Sequence, residues 1–296
     1  MRKHILNLGF FQLYETVDRR VVKLFGAKFS WRRERTGLQY FDGFPNFGDM
    51  LSVDLFKFFN KSIENPNCIM LAVGSLLGGF LLSKKIKKNN TPVIVYGTGF
   101  IKDKTEKDIF AHPLTVYACR GYKTLERLKN AENVVVKENV VLGDPGLLVS
   151  KMYNVKDIKK KYKLGIIPHY TDRNSNLLNN IKVENSVVLN ICEEPEVLVP
   201  KIAECEYIIS SAMHGLIAAD SLGIPNIRMT LDDGLVGGDY KFNDYYSVFG
   251  IDKHECINLS DREFTNNDLD FIKVNYKISQ NKVAEIQKKL IDIFPF

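Results

Sequence analysis

Short apolar runs recur along this chain, and the first four are each followed by a turn that contains glycine. Their length and β-branched character are typical of strands buried on both faces of a sheet. Helical patterns stand between them, and this alternation predicts an α/β fold with a doubly wound parallel sheet. The predicted strands are residues 68–73, 92–96, 114–119, 139–142, 162–167, 186–191 and 207–209.

A charged stretch at residues 151–163 interrupts this alternation, which then starts again. A chain of 296 residues has the length of two ordinary domains. We therefore predict an N-terminal domain over residues 1–150 and a second domain over 151–270. Residues 271–296 belong to an amphipathic region predicted to end the chain as a helix. Residues 1–40 mix basic and aromatic residues without clear periodicity, and we predict an irregular surface segment there.

Composition argues against several classes of protein. Five widely spaced cysteines without a CxxC pair fit neither a disulfide framework nor a zinc site, so we predict reduced thiols and no metal. A net charge of +6 is modest and fits an anionic substrate better than a nucleic acid. The chain contains no GxGxxG or GK[ST] phosphate loop.

The N-terminal residues lack the cleavage site of a signal peptide, and the longest apolar run is too short to span a bilayer. We therefore expect a cytoplasmic protein. The lysine clusters at residues 84–88 and 159–161 are candidate contacts with the anionic inner face of the cell membrane. A solvated helix face is the more frequent explanation of such clusters.

One stretch, residues 208–229, contains the end of a strand, a sharp turn, a short helix and a second strand. His214 falls in the first helical turn, at the carboxyl end of a strand, where open α/β sheets bind ligands. Free N–H groups and the helix dipole favour a phosphate or carboxylate there. His214 either serves such a site or bonds a backbone carbonyl only. Similarly, Asn46 or Asp49 either caps a following helix or lies in a loop against a ligand, with Gly48 permitting close approach.

Six short motifs then occur in order, namely NFGD (46–49), RG (120–121), GDP (143–145), IPHY (167–170), AMHG (212–215) and KFNDYY (241–246). Together they resemble the polysaccharide pyruvyltransferases, in particular the exopolysaccharide branch that ketalises a sugar in a growing lipid-linked repeat unit. The resemblance covers about residues 44–250. Many members carry an arginine two residues before the motif histidine, where this chain has Ala212, although the exopolysaccharide branch also tolerates alanine. Another cation must then hold the donor, and Arg228 is the first candidate.

The resemblance implies a glycosyltransferase-B-like fold, with two Rossmann-like domains facing across a cleft and the terminal helix packing back on the first. It also implies phosphoenolpyruvate as donor, no cofactor, and a saccharide acceptor that is lipid-linked. His214 would protonate the donor or bind its phosphate, Asp49 would accept a proton from a sugar hydroxyl, and His169 would be a second acid or base.

The binding residues that the resemblance suggests are cations, backbone N–H groups and contacts to the sugar. The donor would bind Arg120, Arg228, Lys241, Met213 and Gly215, and the acceptor would bind Asn46, Gly48 and Tyr245. Residues 1–45 and 231–246 would complete the acceptor pocket. Each candidate side chain also has an ordinary structural explanation, such as a surface ion pair for Arg120 or core packing for Tyr245. For Asp144, before Pro145, we favour a turn-initiating role.

Two other functions remain open from the sequence. A glycosyltransferase of the same architecture would use a nucleotide sugar, although no pocket for a base and ribose can be assigned. A non-catalytic relative that binds a polysaccharide would tolerate Ala212 without a replacement cation.

Overall fold

The computed structural model describes the backbone of residues 3–7, 11–15, 19–24 and 27–32, together with residues 36–41, 44–82, 89–231 and 238–296. The strands are β1 (Lys3–Asn7), β2 (Phe11–Glu15), β3 (Arg19–Leu24), β4 (Ala27–Arg32), β5 (Gly37–Gln39), β6 (Ile69–Leu71), β7 (Val93–Tyr96), β8 (Ile109–Cys119), β9 (Glu132–Leu142), β10 (Tyr162–Ile167), β11 (Ile181–Lys182), β12 (Ser186–Val188), β13 (Cys205–Ser210), β14 (Asn226–Thr230), β15 (Cys256–Asn258) and β16 (Phe264–Thr265). The helices are α1 (Phe47–Phe58), α2 (Tyr122–Asn130), α3 (Val149–Met152), α4 (Pro195–Ala203), α5 (Met213–Ser221), α6 (Tyr240–Ser247), α7 (Leu269–Asn275) and α8 (Gln280–Asp292).

Two parallel five-stranded sheets form the centre of the structure. The first has the strand order β5-β6-β7-β8-β9, and the second has the order β12-β10-β13-β14-β15. Every strand pair in both sheets is parallel. Val95, Val116 and Ile208 are completely buried, as expected for strands covered on both faces. The predicted α/β class with parallel sheets is confirmed, whereas the division into two facing domains stays a prediction.

The carboxyl ends of these strands carry the loops that matter for function. In the first sheet, Gly74 follows β6, Arg120 follows β8 and Asp144 follows β9. In the second sheet, His169 follows β10 and Ser211 follows β13, directly before α5. Because parallel strands place their carboxyl ends on one edge, each sheet presents a cluster of such loops.

Helix α6 joins the two halves of the chain by hydrogen bonds from neighbouring residues. Asp244 accepts hydrogen bonds from the Arg120 side chain and from the backbone and hydroxyl of Thr124. The adjacent Tyr245 donates its hydroxyl to Asp220 on α5 at 2.7 Å. The C-terminal helix α8 packs on the segment that follows β9, and there the Gln287 side-chain amide donates a hydrogen bond to the carbonyl of Leu147. We infer that α6 fixes α5 relative to the first sheet.

Two predictions about the ends of the chain need correction. Residues 1–40 were predicted to be irregular, but β1 to β4 form an antiparallel sheet in sequence order. Backbone pairing between neighbouring strands forms this sheet, and the mixed basic and aromatic composition of the strands hides the alternation that marks a strand. The C-terminal amphipathic region contains two helices, because the chain leaves the helical conformation at Tyr276 and Ser279 caps α8.

Of the two lysine clusters named as candidate membrane contacts, the structure describes only the second. Residues 83–88 lie outside the described residues, and so do residues 232–237 of the predicted acceptor loop. In the cluster at 159–161, the Lys160 ammonium donates to the carbonyls of Ala203 and Cys205, and Lys161 pairs with Glu204. These three lysines are exposed, but they lie in a connection between α3 and β10 and not on a helix. Among the helices described, none combines the length and apolar character needed to cross a bilayer.

Candidate functional site

His214 lies in the first turn of α5, which begins without a side-chain cap. The first N–H groups of a helix have no partner within the helix, so those at Met213 and His214 can meet an anion. The Ser210 hydroxyl does not cap α5, because it donates to the carbonyl of Ala212 and accepts from the N–H of the same residue. A Cβ on Gly215 would lie 2.6 Å from this hydroxyl oxygen. The sharp turn from β13 into α5 therefore requires glycine at position 215.

The imidazole of His214 packs against the first turn of α1. A Cβ on Gly48 would overlap the ring, so this contact also requires glycine. Asn46 caps α1, because its side-chain oxygen accepts from the Gly48 N–H at 3.1 Å. Asn46 is therefore the N-cap of α1, which is one of the two roles that the sequence suggested. The group that approaches Gly48 closely is the imidazole of His214.

Asp144 faces the opposite side of the same imidazole. Its Oδ1 accepts from the Gly146 N–H at 2.8 Å, which is the turn-forming role that the sequence suggested. Its Oδ2 lies 3.8 Å from Nε2 of His214, and neither of these buried atoms has a hydrogen-bond partner among the described residues. The turn-forming role of Asp144 is thus confirmed, and its second oxygen in addition lies near His214. A carboxylate in this position can help to orient the His214 ring.

Asp49, on the first turn of α1, is a second carboxyl near His214. Burial raises its pKa to about 6, although the positive charge of His214 and a hydrogen bond from the Phe41 backbone oppose the rise. Its Oδ1 lies beside Gly74, in the loop after β6. A carboxyl with this pKa exchanges protons near neutral pH, as an acid–base catalyst must.

Lys241 supplies positive charge from the first turn of α6. Burial lowers its pKa to about 8, helped by the charges of Arg120 and Arg228 and opposed by Asp172. The pKa of His169 is also lowered, first by burial and then by Lys241. These shifts indicate that Lys241, His169 and Asp172 lie within electrostatic range of one another.

A hydrogen-bonded loop holds His169 and Asp172 at the start of α5. The Ser211 hydroxyl donates to Asp172 at 2.6 Å and accepts from the backbone N–H of His169 at 2.8 Å. The imidazole Nδ1 of His169 lies 2.7 Å from the Thr171 hydroxyl. Because Ser211 directly precedes α5, this network ties the loop after β10 to the turn that carries His214.

Three residues assigned to substrates from the sequence instead make buried contacts that hold α6. The guanidinium of Arg120 is completely buried and donates to Asp244, Ser75 and the Phe100 carbonyl. Tyr245 is 1% exposed and donates to Asp220. The Arg228 guanidinium lies 4.0 Å from the centre of the Phe242 ring and pairs with Asp239.

A family model described as polysaccharide pyruvyl transferase matches residues 16–233. The chain belongs to this family. It is similar to uncharacterized protein L143 of Acanthamoeba polyphaga mimivirus, with 31% identity over 218 residues that cover 69% of this chain and 74% of the relative. It is also similar to succinoglycan biosynthesis protein ExoV of Rhizobium meliloti, with 27% identity over 218 residues covering 70% of this chain and 62% of ExoV. The family suggested by the six motifs is confirmed.

The structure brings together several motifs of this pyruvyl transferase family member. His214 of AMHG contacts the NFGD and GDP motifs through Gly48 and Asp144, and the IPHY motif adjoins α5 through His169. The RG and KFNDYY motifs meet each other at the Arg120–Asp244 ion pair. The sequence analysis did not identify Asp172 and Asp244 as functional residues. The position of Asp244 between the aromatic residues Phe242 and Tyr245 was the available signal for its burial.

No group of three or more His, Cys, Asp or Glu side chains is placed to bind a metal within the part of the chain that the structure describes. The polar groups around His214 are instead the carboxyls of Asp49 and Asp144 and the open N–H groups at the start of α5. They suit proton transfer and anion binding.

The variant Asp49→Asn tests the environment of this carboxyl. Because the folded-state pKa of about 6 lies above the ordinary value of an aspartate, 3.8, the folded protein binds the proton more tightly than the unfolded chain does, and stability falls as pH rises from about 4 to 6. Asparagine is neutral at every pH and escapes this loss. Between pH 4 and pH 8 we expect the free energy of unfolding of the variant, relative to wild type, to increase by about 2 kcal/mol.

Urea denaturation at a series of pH values measures this difference. Asp261→Asn, at an exposed position, is the matched control. Its free energy of unfolding, plotted against pH, should run parallel to that of wild type. If the free energy of unfolding of Asp49→Asn instead runs parallel to that of wild type over this pH range, the buried environment assigned to Asp49 is contradicted.

Proposed function

We propose that this protein transfers the pyruvyl group of phosphoenolpyruvate to two hydroxyls of one sugar in a lipid-linked polysaccharide repeat unit. The product is a cyclic pyruvyl ketal, and phosphate is released. The observation that carries the proposal is His214 at the uncapped start of α5, between Gly48 and Asp144 and near the carboxyl of Asp49. Membership of the polysaccharide pyruvyl transferase family supports the class of reaction.

The donor carries a phosphate and a carboxylate, and both need positive partners. The N–H groups at the start of α5 suit one of these anions. Lys241, whose pKa of about 8 keeps it mostly charged at neutral pH, suits the other. In this arrangement Lys241 replaces the arginine that many relatives carry at the position of Ala212. Arg120 contributes indirectly, because its buried ion pair with Asp244 holds α6 and thereby Lys241.

The first chemical step is protonation of the donor's methylene carbon by His214, which makes the neighbouring carbon C2 electrophilic. A sugar hydroxyl then adds to C2 and transfers its proton to Asp49. Phosphate departs with the electron pair of its C2–O bond, and a second hydroxyl closes the ring at C2. The second hydroxyl gives its proton to the departing phosphate. The proton held by Asp49 passes through solvent to His214 and replaces the proton that His214 gave to the methyl group. Asp144 acts as a positioning residue that orients His214.

The test is incubation of the protein with phosphoenolpyruvate and a lipid-linked repeat unit or a nitrophenyl galactoside. We expect phosphate release that depends on the acceptor, and a product heavier by one pyruvate less one water. Turnover with a nucleotide sugar instead would favour a glycosyltransferase. Saccharide binding without turnover of any donor would favour a non-catalytic relative. Either of these two results would overturn the proposal.

The proposed acceptor places the reaction at the inner face of the cell membrane. Flotation with vesicles that contain anionic lipid tests this separately from activity. We expect the protein to float with the anionic vesicles and not with neutral ones. Equal recovery with neutral vesicles, or no recovery with anionic vesicles, would argue against an electrostatic contact.

A further inference from the structure

The structure leaves two of the three predicted acceptor contacts inaccessible to a sugar. Tyr245 is 1% exposed, and Gly48 is buried against the imidazole of His214. The third residue, Asn46, uses its side-chain oxygen to cap α1. A saccharide acceptor therefore needs a binding surface beyond these three residues.

A cavity of about 290 Å³ lies where β10 and β12 end, at the carboxyl edge of the second sheet. Its floor is apolar and consists of the buried residues Pro168, Leu189 and Ile191. Its rim is polar and consists of the exposed residues Arg173, Asn174 and Asn190. Open α/β sheets bind ligands at this edge, and the volume is close to the lower limit for small-molecule sites.

The lining of the cavity matches a sugar ring, which has apolar C–H faces and hydroxyls around its edge. Val188, on the edge strand β12, also lines the cavity and is 57% exposed, so it adds apolar surface. The Oδ1 of Asn190 accepts from the N–H of Cys192 at 3.1 Å, which fixes the amide and leaves its Nδ2 as a donor. Apolar walls with a few fixed polar groups are typical of sites for small molecules.

A chain of planar groups connects the rim of the cavity with the proposed active site. The Arg173 guanidinium lies 5.5 Å from the centre of the Phe44 ring, within the range of cation–π attraction. The ring centres of Phe44 and Tyr170 are 5.3 Å apart, and those of Tyr170 and His169 are 4.3 Å apart. These contacts hold Arg173 at the rim and lead to His169, which lies within electrostatic range of Lys241.

The floor of the cavity is joined to the catalytic side chains through the backbone. The carbonyl of Ile191 accepts from the N–H of Phe47 at 2.9 Å, and the next residue, Gly48, contacts His214. His214 itself does not line the cavity. A ligand in the cavity would therefore lie beside the reacting sugar and not in its place.

We propose that this cavity binds one neutral pyranose of the acceptor, the neighbour of the sugar that receives the pyruvyl group. Arg173, Asn174 and Asn190 donate hydrogen bonds to its hydroxyls, and the apolar floor packs against a C–H face. Two of these three polar groups are uncharged amides, which suits hydroxyls better than an anion. The inference rests on the proposed function, because it adds a second saccharide contact to the same reaction.

Steady-state kinetics with two acceptors tests this subsite. Nitrophenyl galactoside offers one sugar, whereas nitrophenyl lactoside offers the same terminal galactose joined to a glucose that can enter the cavity. We expect KM of the wild-type protein to be about tenfold lower for the lactoside, with a similar kcat, because the additional hydrogen bonds contribute to binding alone.

The double variant Arg173→Ala/Asn174→Ala should raise KM for the lactoside to the value for the galactoside. KM for the galactoside and for phosphoenolpyruvate should not change. Asn179→Ala/Lys182→Ala is the matched control, because both residues are exposed, neither lines the cavity, and one amide and one positive charge are again removed. The control should keep the wild-type preference for the lactoside.

An unchanged KM for the lactoside in the double variant would overturn the inference, and so would an equal rise for both acceptors. A rise in KM for phosphoenolpyruvate alone would assign Arg173 to the donor and also overturn it. Failure of the wild-type protein to convert either acceptor would instead contradict the proposed function. Calorimetric titration then decides the inference, which requires that the wild-type protein, and not the double variant, binds the lactoside more tightly than the galactoside. Equal binding of the two glycosides by the wild-type protein, or binding of neither, would overturn it.

Discussion

Replacement of His214 by alanine is expected to lower the rate of pyruvyl transfer by about 10²–10⁴-fold, the usual contribution of a general acid. The imidazole is the group proposed to protonate the donor, and it lies between Gly48 and Asp144 at the start of α5. The fold should survive, because the packing of α5 rests mainly on the fully buried Leu216 and Ile217. Steady-state kinetics with phosphoenolpyruvate measures the effect, and circular dichroism checks the fold.

A second variant displaces the imidazole without removing it. A Cβ in Gly48→Ala would overlap the ring of His214, so we expect kcat to fall in this variant as well. Gly78→Ala is the matched control, because a Cβ at position 78 would meet nothing within 4 Å. Activity of His214→Ala within a few-fold of wild type would exclude His214 as the proton donor.

The variant Asp244→Ala is expected to reduce the free energy of unfolding by about 3–5 kcal/mol. The carboxylate is completely buried, and it accepts from Arg120 at 2.9 Å and from the backbone and hydroxyl of Thr124. Its removal would leave the fully buried guanidinium of Arg120 without a counter-charge. Urea denaturation at pH 7 measures the loss.

Two comparisons separate this ion pair from a general effect of losing a carboxylate. Asp157→Ala, at an exposed position, should change stability by no more than about 0.5 kcal/mol. Arg120→Met in the Asp244→Ala background removes the orphaned charge and should recover part of the stability. A loss below about 1 kcal/mol in Asp244→Ala would contradict the role that we assign to this pair.

Local patterns in the sequence were sufficient for the fold class and for the position of His214. The apolar run 162–167 coincides with β10, because a strand buried on both faces needs such residues whatever its neighbours are. The stretch 208–229 encodes strand, turn and helix within 22 residues, so the place of His214 in the first turn of α5 also followed from the sequence. The pairing within residues 3–32 did not follow, because periodicity there is weak.

The tertiary structure alone decided which distant groups meet. Asp144 was recognisable as a turn residue from Pro145, but its second oxygen faces His214 only because β9 and β13 end near each other. Arg120 could be placed at a strand end, yet the choice between binding a ligand and pairing with Asp244 depends on where α6 docks. The physical reason is that strand and helix formation is governed by neighbouring residues, whereas the burial and charge environment of a side chain is set by segments far away in the sequence.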